Sequence, residues 1–133
     1  MMETINRNEH DFHAGDMVRA EVRTGQYVGE LVELNGPRAL VKVLAVLKHP
    51  EQGDLHSPYN PDVPMFHERR ALSYTEKTTV LLRDLKSYSG PVPDYKQSLL
   101  AAAEAEIAGL DRLQRWSAKG LEQLIQLKKE YDK

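Results

Sequence analysis

The tightest constraint in this sequence is a dense apolar run, Leu40 to Leu47, broken only by Lys42. Both parities of the run are filled, the pattern of a strand covered on both faces rather than one with a wet side. Such a strand has to lie at the centre of whatever the chain builds. Directly after it, Lys48 to Met65 collects Pro50, Gly53, Pro58, Pro61 and Pro64, which fix φ and remove backbone donors, so neither a helix nor an interior strand can continue. An extended pattern resumes from Phe66 to Tyr74, so a long loop, 48–66, is expected to join two strands. Loops of this length inside compact domains are usually functional when they are ordered.

The strands around that centre follow from local signals. Gly15-Asp16 marks a turn, and Val18, Ala20 and Val22 then alternate with Arg19, Glu21 and Arg23, as a half-buried strand requires. Thr24-Gly25 ends it, and Gln26 to Leu34 reads as a second strand in which Gly29 signals a bulge or a close backbone approach. Asn35-Gly36 is a hairpin signal leading through Pro37 into the central strand. A fourth strand is expected over Glu68 to Tyr74, and Thr78 or Thr79 is placed to cap a short helix toward Tyr88. Short strands this closely spaced predict a small barrel.

The composition shifts at Ser89-Gly90-Pro91-Val92-Pro93, the expected boundary between barrel and tail. Beyond it, Leu99, Ala103, Ile107, Leu110 and Leu113 recur at helical spacing, and Leu121, Leu124, Ile125 and Tyr131 mark a second stripe. Gly109 or the run Ser117 to Gly120 reads as an interruption, so two helices are expected, their stripes facing each other within one chain or between two. Glu104, Glu106, Asp111, Arg112 and Arg115 then form a solvated face, and Trp116 is expected at a junction between elements. The predicted organisation is a polar tail at 1–13, carrying His10 and His13, a β-barrel at 14–88, and an α-helical extension at 89–133.

Composition narrows the function. The 133 residues carry a formal net charge of -2 and no cysteine. The charge provides no general attraction for a phosphate backbone, which argues against nucleic acid as a partner; a nucleic-acid-binding small barrel is the weakest of the alternatives. The lack of cysteine removes thiolate nucleophiles, disulfides and zinc-thiolate sites. No run has the length and apolarity of a signal peptide or a membrane span, so a cytoplasmic chain without direct membrane insertion is expected. Ser57 follows His56, but neighbours on an extended chain point apart, and there is no nucleophile elbow and no phosphate-cradling glycine loop. No catalytic residue and no cofactor is called.

The remaining candidates cluster in and beside the loop. His49, Asp54, His56, His67 and Glu68 are ligand types for a divalent metal, and a metal site or metal-dependent enzyme built on His49, His56 and His67 is the alternative to a binding role. Their spacing matches no metal motif, however, and Asp54 after Gly53 is equally a turn former. Tyr27, Tyr59, Phe66 and Tyr74 are candidates for an aromatic peptide groove. The expected partner surface comprises Tyr27, His49, Asp54, His56, His67, Glu68 and Arg69, on the loop rather than on the helical tail.

Four stretches carry a specific likeness: GDMVRAEVRTGQYVGELVE (Gly15 to Glu33), VKVLAVLKHPEQGDLH (Val41 to His56), DVPMFHERRAL (Asp62 to Leu72), and VPDYKQSL with LEQLIQLKKEY. In these the sequence resembles the kinase-associated protein B family of spore-forming bacilli, over nearly the whole chain from Gly15. The resemblance implies an SH3-like β-barrel followed by an α-helical region. It also implies a non-catalytic accessory role toward a sporulation sensor histidine kinase that feeds a phosphorelay. A membrane-bound kinase would be the protein partner, with pairing of two copies through the helices a further expectation. Some members carry the label lipoprotein, which requires a lipidated cysteine that this sequence lacks, so membrane association is expected only through a partner.

Overall fold

The computed structural model describes residues 11–133. Five strands, β1 (Met17–Val22), β2 (Gly25–Asn35), β3 (Arg38–Lys48), β4 (Lys77–Leu81) and β5 (Leu85–Ser87), form one antiparallel sheet in the order β4-β3-β2-β1-β5. One helix, α1 (Tyr95–Tyr131), follows. The meander of the first three strands matches the sequence reading, but the middle strand is β2; β3 lies inside the sheet beside the edge strand β4 and alternates buried with half-buried residues, so only one of its faces is fully covered. The sheet is strongly coiled, but β4 and β5 do not pair with each other, so the expected closed barrel is not formed.

The length of β2 and β3 and the irregularity of their pairing explain the coiling. Their register shifts at three places, between Gln26 and Tyr27, between Val28 and Gly29, and between Leu31 and Glu33. A bulge adds local twist and re-aims the side chains beyond it. One end of the β2-β3 pair, with Leu31, Ala39 and Val41, therefore closes over Val18, Ala20, Val80 and Leu85 to make the sheet's own core. The other end, with Tyr27, Val43 and Val46, faces the helix and packs against Ala102, Leu99 and Tyr95. Gly29 is required at this bend: a Cβ there would lie 2.4 Å from Val41 Cγ1 and 2.7 Å from the Lys42 carbonyl oxygen. The hairpin between β2 and β3 turns at Gly36-Pro37, with Asn35 paired to Arg38 and Gly36 at φ 60°. It is thus one residue later than the Asn-Gly signal suggests.

Three expectations fail. Glu68 to Tyr74 is not a strand, and the region read as a short helix contains β4, a 3-10 turn at Leu82–Asp84 and β5. The period-2 signal of Thr79 to Leu81 is too short to stand out, and β4 is held by its pairing with Arg38 to Lys42 rather than by its own pattern. The two expected helices are one of 37 residues, about 55 Å long at 1.5 Å per residue. Asp94 caps its start by accepting a hydrogen bond from the Gln97 N–H, and Lys128 and Lys129 lie at its C-terminal end. Gly109 and Gly120 each cost about 1 kcal/mol of helix propensity, too little to break a helix whose neighbours are Ala, Leu, Glu, Gln and Lys. Residues 1–10 of the expected tail lie outside the described residues; Phe12, within the same stretch, is 6% exposed and belongs to the sheet's core.

Because the Gly29 site is closed by backbone as well as by Val41, Gly29→Ala is expected to destabilise the fold by about 1–3 kcal/mol, the usual cost of overpacking. Urea unfolding followed by circular dichroism measures this, with a lower midpoint at an unchanged slope as the expected outcome.

Candidate functional site

The segment from His49 to Glu76 joins β3 to β4 and is held in shape by its own polar groups. Its neck is a small set of paired bonds. Gln52 Nε2 donates to the Arg69 carbonyl oxygen at 2.9 Å while Gln52 Oε1 accepts from the Arg69 N–H at 2.8 Å. The Gly53 N–H donates to the His67 carbonyl at 2.8 Å. Arg69 Nη1 donates to the Glu51 carbonyl, and the Glu51 N–H donates to Thr24 Oγ1 at 2.7 Å, tying the neck to the β1-β2 turn. Gly53 adopts φ 96° with the Phe66 ring where a side chain would stand. Within the loop, Asp54 Oδ1 accepts from the His56 N–H and Asn60 Oδ1 from the Asp62 N–H. These side chains mimic backbone turns and reduce the loop's freedom.

The helix docks on the sheet through a polar knot set in apolar surroundings. At a register shift of β3, the Val46 N–H donates to Ser98 Oγ at 3.0 Å, and Ser98 Oγ donates in turn to the Tyr95 carbonyl. Leu72 lies between two tyrosines: its N–H donates to Tyr27 Oη at 3.3 Å, and its carbonyl accepts from the Tyr95 hydroxyl. Burial raises the Tyr27 hydroxyl above its ordinary value of 10.0, an effect partly offset by the bond from Leu72 and reinforced by Tyr95 and Glu76 nearby. Burial raises Tyr95 in the same direction, with Glu76 adding to it. At the edge of this contact Lys48 Nζ reaches Glu106 at 3.2 Å and Glu51 at 3.6 Å, joining strand, loop and helix.

Between the loop and the first half of α1 lies a cleft of about 1090 Å³. Leu99, Ala103, Ile107 and Leu110 line its helix side, and Leu55, Pro58, Tyr59 and Phe66 its loop side. Glu51, Asp54, Glu68, Glu106, Arg69 and Arg70 also line it. The arrangement, apolar walls with a few charged groups of both signs, suits an apolar or amphipathic segment of another protein. Tyr59, at φ 66° and 83% exposed, stands in the loop wall.

Of the residues expected at a partner surface, His49, Asp54, Glu68 and Arg69 line this cleft, whereas His56 and His67 do not. Tyr27 is 1% exposed and belongs to the helix-sheet core, so it positions Leu72 instead of offering a contact. Its place in an alternating strand did not reveal which end of β2 the helix would cover. The aromatic groove of Tyr27, Tyr59, Phe66 and Tyr74 does not assemble, since Tyr74 stacks near Tyr95, with ring centroids 5.6 Å apart. Among the described residues no three His, Asp or Glu side chains come together as a metal site, and His49 Nδ1 bonds the Pro50 carbonyl instead. The sequence reading missed the helix's share of the cleft. The stripe Leu99, Ala103, Ile107 is visible in the sequence, but there it is expected to face the stripe of a second helix, and both stripes lie on one continuous helix. Trp116, expected at a junction, is 71% exposed.

The sequence pattern of the kinase-associated protein B family matches residues 22–132. The chain belongs to that family. It is 45% identical over 121 residues to kinase-associated lipoprotein B of Bacillus subtilis (strain 168), covering 90% of this chain and 94% of that protein. It is also similar to the crystal structure of kinase-associated protein B from Bacillus cereus, with a TM-score of 0.65 and 36% identity, over 92% of this chain and 99% of that one. The B. subtilis relative is called a lipoprotein; this sequence has no cysteine, and no described helix is long and apolar enough to cross a membrane.

The tyrosine pair makes the fold sensitive to alkali. Both hydroxyls titrate higher in the folded chain than in the unfolded one, so their stabilisation is complete below pH 10.0 and is lost as pH rises through the raised values. The double variant Tyr27→Phe, Tyr95→Phe is expected to start about 1–3 kcal/mol less stable at neutral pH, for the lost bonds to Leu72. Its melting temperature should then fall less between neutral pH and strong alkali than the parent's, as read by thermal melts across that range.

Proposed function

We propose that this protein is a non-catalytic accessory of a sensor histidine kinase that feeds sporulation signals into a phosphorelay, and that the loop-helix cleft receives the kinase. The observation that carries this is the cleft itself: apolar, open, and built from a loop whose neck is fixed by paired hydrogen bonds before any partner arrives. Pre-ordering of that kind reduces the conformational entropy lost on binding, and the mixed charges of Glu68, Arg69 and Arg70 at the site give a partner its orientation. The family's name and that of the B. subtilis relative support a kinase as the partner. The family's name also favours accessory work over chemistry.

In this reading the chain works in the cytoplasm and meets a membrane only where its kinase partner does. The loop residues His49, Asp54, Glu68 and Arg69 act at the cleft, with His56 and His67 shaping the loop around it. The helix beyond Leu113 is a separate surface, and the homodimer expected from the sequence is a reading of the helix's apolar face that continues onto it.

Truncating exposed apolar anchors tests the assignment without touching the core. Tyr59→Ala and Ile107→Ala together are expected to weaken association with the purified kinase about tenfold or more, as two interface anchors typically do, while circular dichroism and melting temperature stay near the parent's. Asp111→Ala, on the helix's outer face and paired with Arg115, should leave affinity unchanged. Unaltered binding by the cleft variant, measured by isothermal calorimetry, would remove the cleft from the account.

A further inference from the structure

Beyond Glu106 the helix leaves the domain, and its side chains are in water with an apolar face uncovered. Leu110, Leu113, Trp116, Leu121, Leu124 and Ile125 are all at least half exposed. The strip from Leu110 to Leu127 runs about 25 Å along the helix, at 1.5 Å per residue. Large apolar side chains gathered on one face, rather than scattered singly, mark a contact surface. We propose that a second copy of this chain covers the strip, the two helices running antiparallel about a two-fold axis between Ala118 and Lys119.

The sequence of the face selects that occupant. A two-fold contact must be self-complementary, residue i meeting j and j meeting i. About the point between Ala118 and Lys119 the seam reads the same in both directions: Leu110 mirrors Leu127, Leu113 mirrors Leu124, and Trp116 mirrors Leu121, while Ile125, at the margin of the strip, mirrors Arg112. The two small residues, Ser117 and Gly120, mirror each other at the centre. There they let the backbones approach, and the Trp116 and Leu121 side chains flank the crossing. Leu110, Leu113, Ser117, Gly120, Leu124 and Leu127 follow the alternating three- and four-residue spacing of a coiled-coil seam. The charged residues Asp111, Arg112, Arg115, Lys119 and Glu122 lie off it.

The fold selects the direction. Ser98, which is buried against β3, lies five helical turns from Trp116, and buried Ala102 lies five turns from Gly120. The sheet therefore sits on the same side of the helix as the uncovered strip. A parallel partner would bring two sheet domains to the same end and the same side, into each other's volume. An antiparallel partner sends its own sheet to the far end and brings its Leu127 and Leu124 over Leu110 and Leu113, which form the distal wall of the cleft. The pairing thus closes the cleft's outer end and leaves Leu99 to Ile107 for the kinase. It stands on the helix alone, whatever occupies the cleft.

The absence of cysteine from the 133 residues gives a clean test in this chain. Sedimentation equilibrium at micromolar concentration is expected to give twice the mass of one chain, and Leu113→Glu with Leu124→Glu to give a single-chain mass. Leu110→Cys and Leu127→Cys variants are then treated with a short thiol cross-linker, each alone and mixed. The antiparallel pairing predicts covalent dimer in the mixture and little in either variant alone, with the folds of the two untreated variants checked against the parent's by circular dichroism. A parent that stays single, a glutamate variant that remains double, or strong self-linking by Leu110→Cys alone would overturn the proposal. So would a parent that pairs only when the kinase is added, since the strip would then belong to the kinase.

Discussion

The structure depends on one contact, the seating of α1 on the bulged end of the β2-β3 pair. The two long strands serve two cores because their register slips, and a slipped register exposes backbone groups that regular pairing would satisfy. The helix supplies the missing partner at one such point, where Ser98 Oγ accepts from the Val46 N–H in a buried setting. Leaving that donor unpaired would cost about 1–3 kcal/mol. Tyr27 and Tyr95 do the same for both polar groups of Leu72. The polar knot thereby fixes three elements, strand, loop exit and helix, at a place where apolar packing by Val43, Val46 and Ala102 would set only their distance.

From this contact the functional geometry follows. With the helix seated, Leu99, Ala103 and Ile107 face the loop, and with Leu72 held, the loop's return path is set opposite them. The neck formed by Gln52, Gly53, His67 and Arg69 then fixes the loop's spread independently of the helix. The cleft is the space left between two walls that are each braced from behind. For the accessory role proposed above, a surface ordered in advance is what the protein offers a partner.

Much of this was legible in the sequence, and the failures have physical causes. An interior strand at β3, the meander and the bulge at Gly29 could be read because each rests on local chemistry: an apolar run, turn residues, a missing Cβ; that β2 rather than β3 lies in the middle depends on the pairing of β1 with β5, which no local signal gives. The long loop could be read because prolines exclude regular structure. The strand β4 could not, since it exists through its pairing with β3 and not through its own five residues. The division into two helices failed because glycine at Gly109 and Gly120 weakens a helix without stopping it. That error concealed the site. Once the stripes at Leu99 and Leu121 are understood as one helix, they cannot satisfy each other, and half of the cleft and an uncovered apolar face appear together. Tyr27 was misplaced for a related reason: an alternating strand shows which residues share a face but not which element covers it.

The seating of the helix is most directly tested by hydrogen exchange at the Val46 and Leu72 amides, the two donors that the helix-sheet knot satisfies. If the account is right, both exchange only as slowly as the central amides of β2 and β3, with an opening free energy equal to that of global unfolding. Fast exchange at both, with the amides of the sheet's core still protected, would show that the helix lifts away from a sheet that stands without it, and would contradict the account.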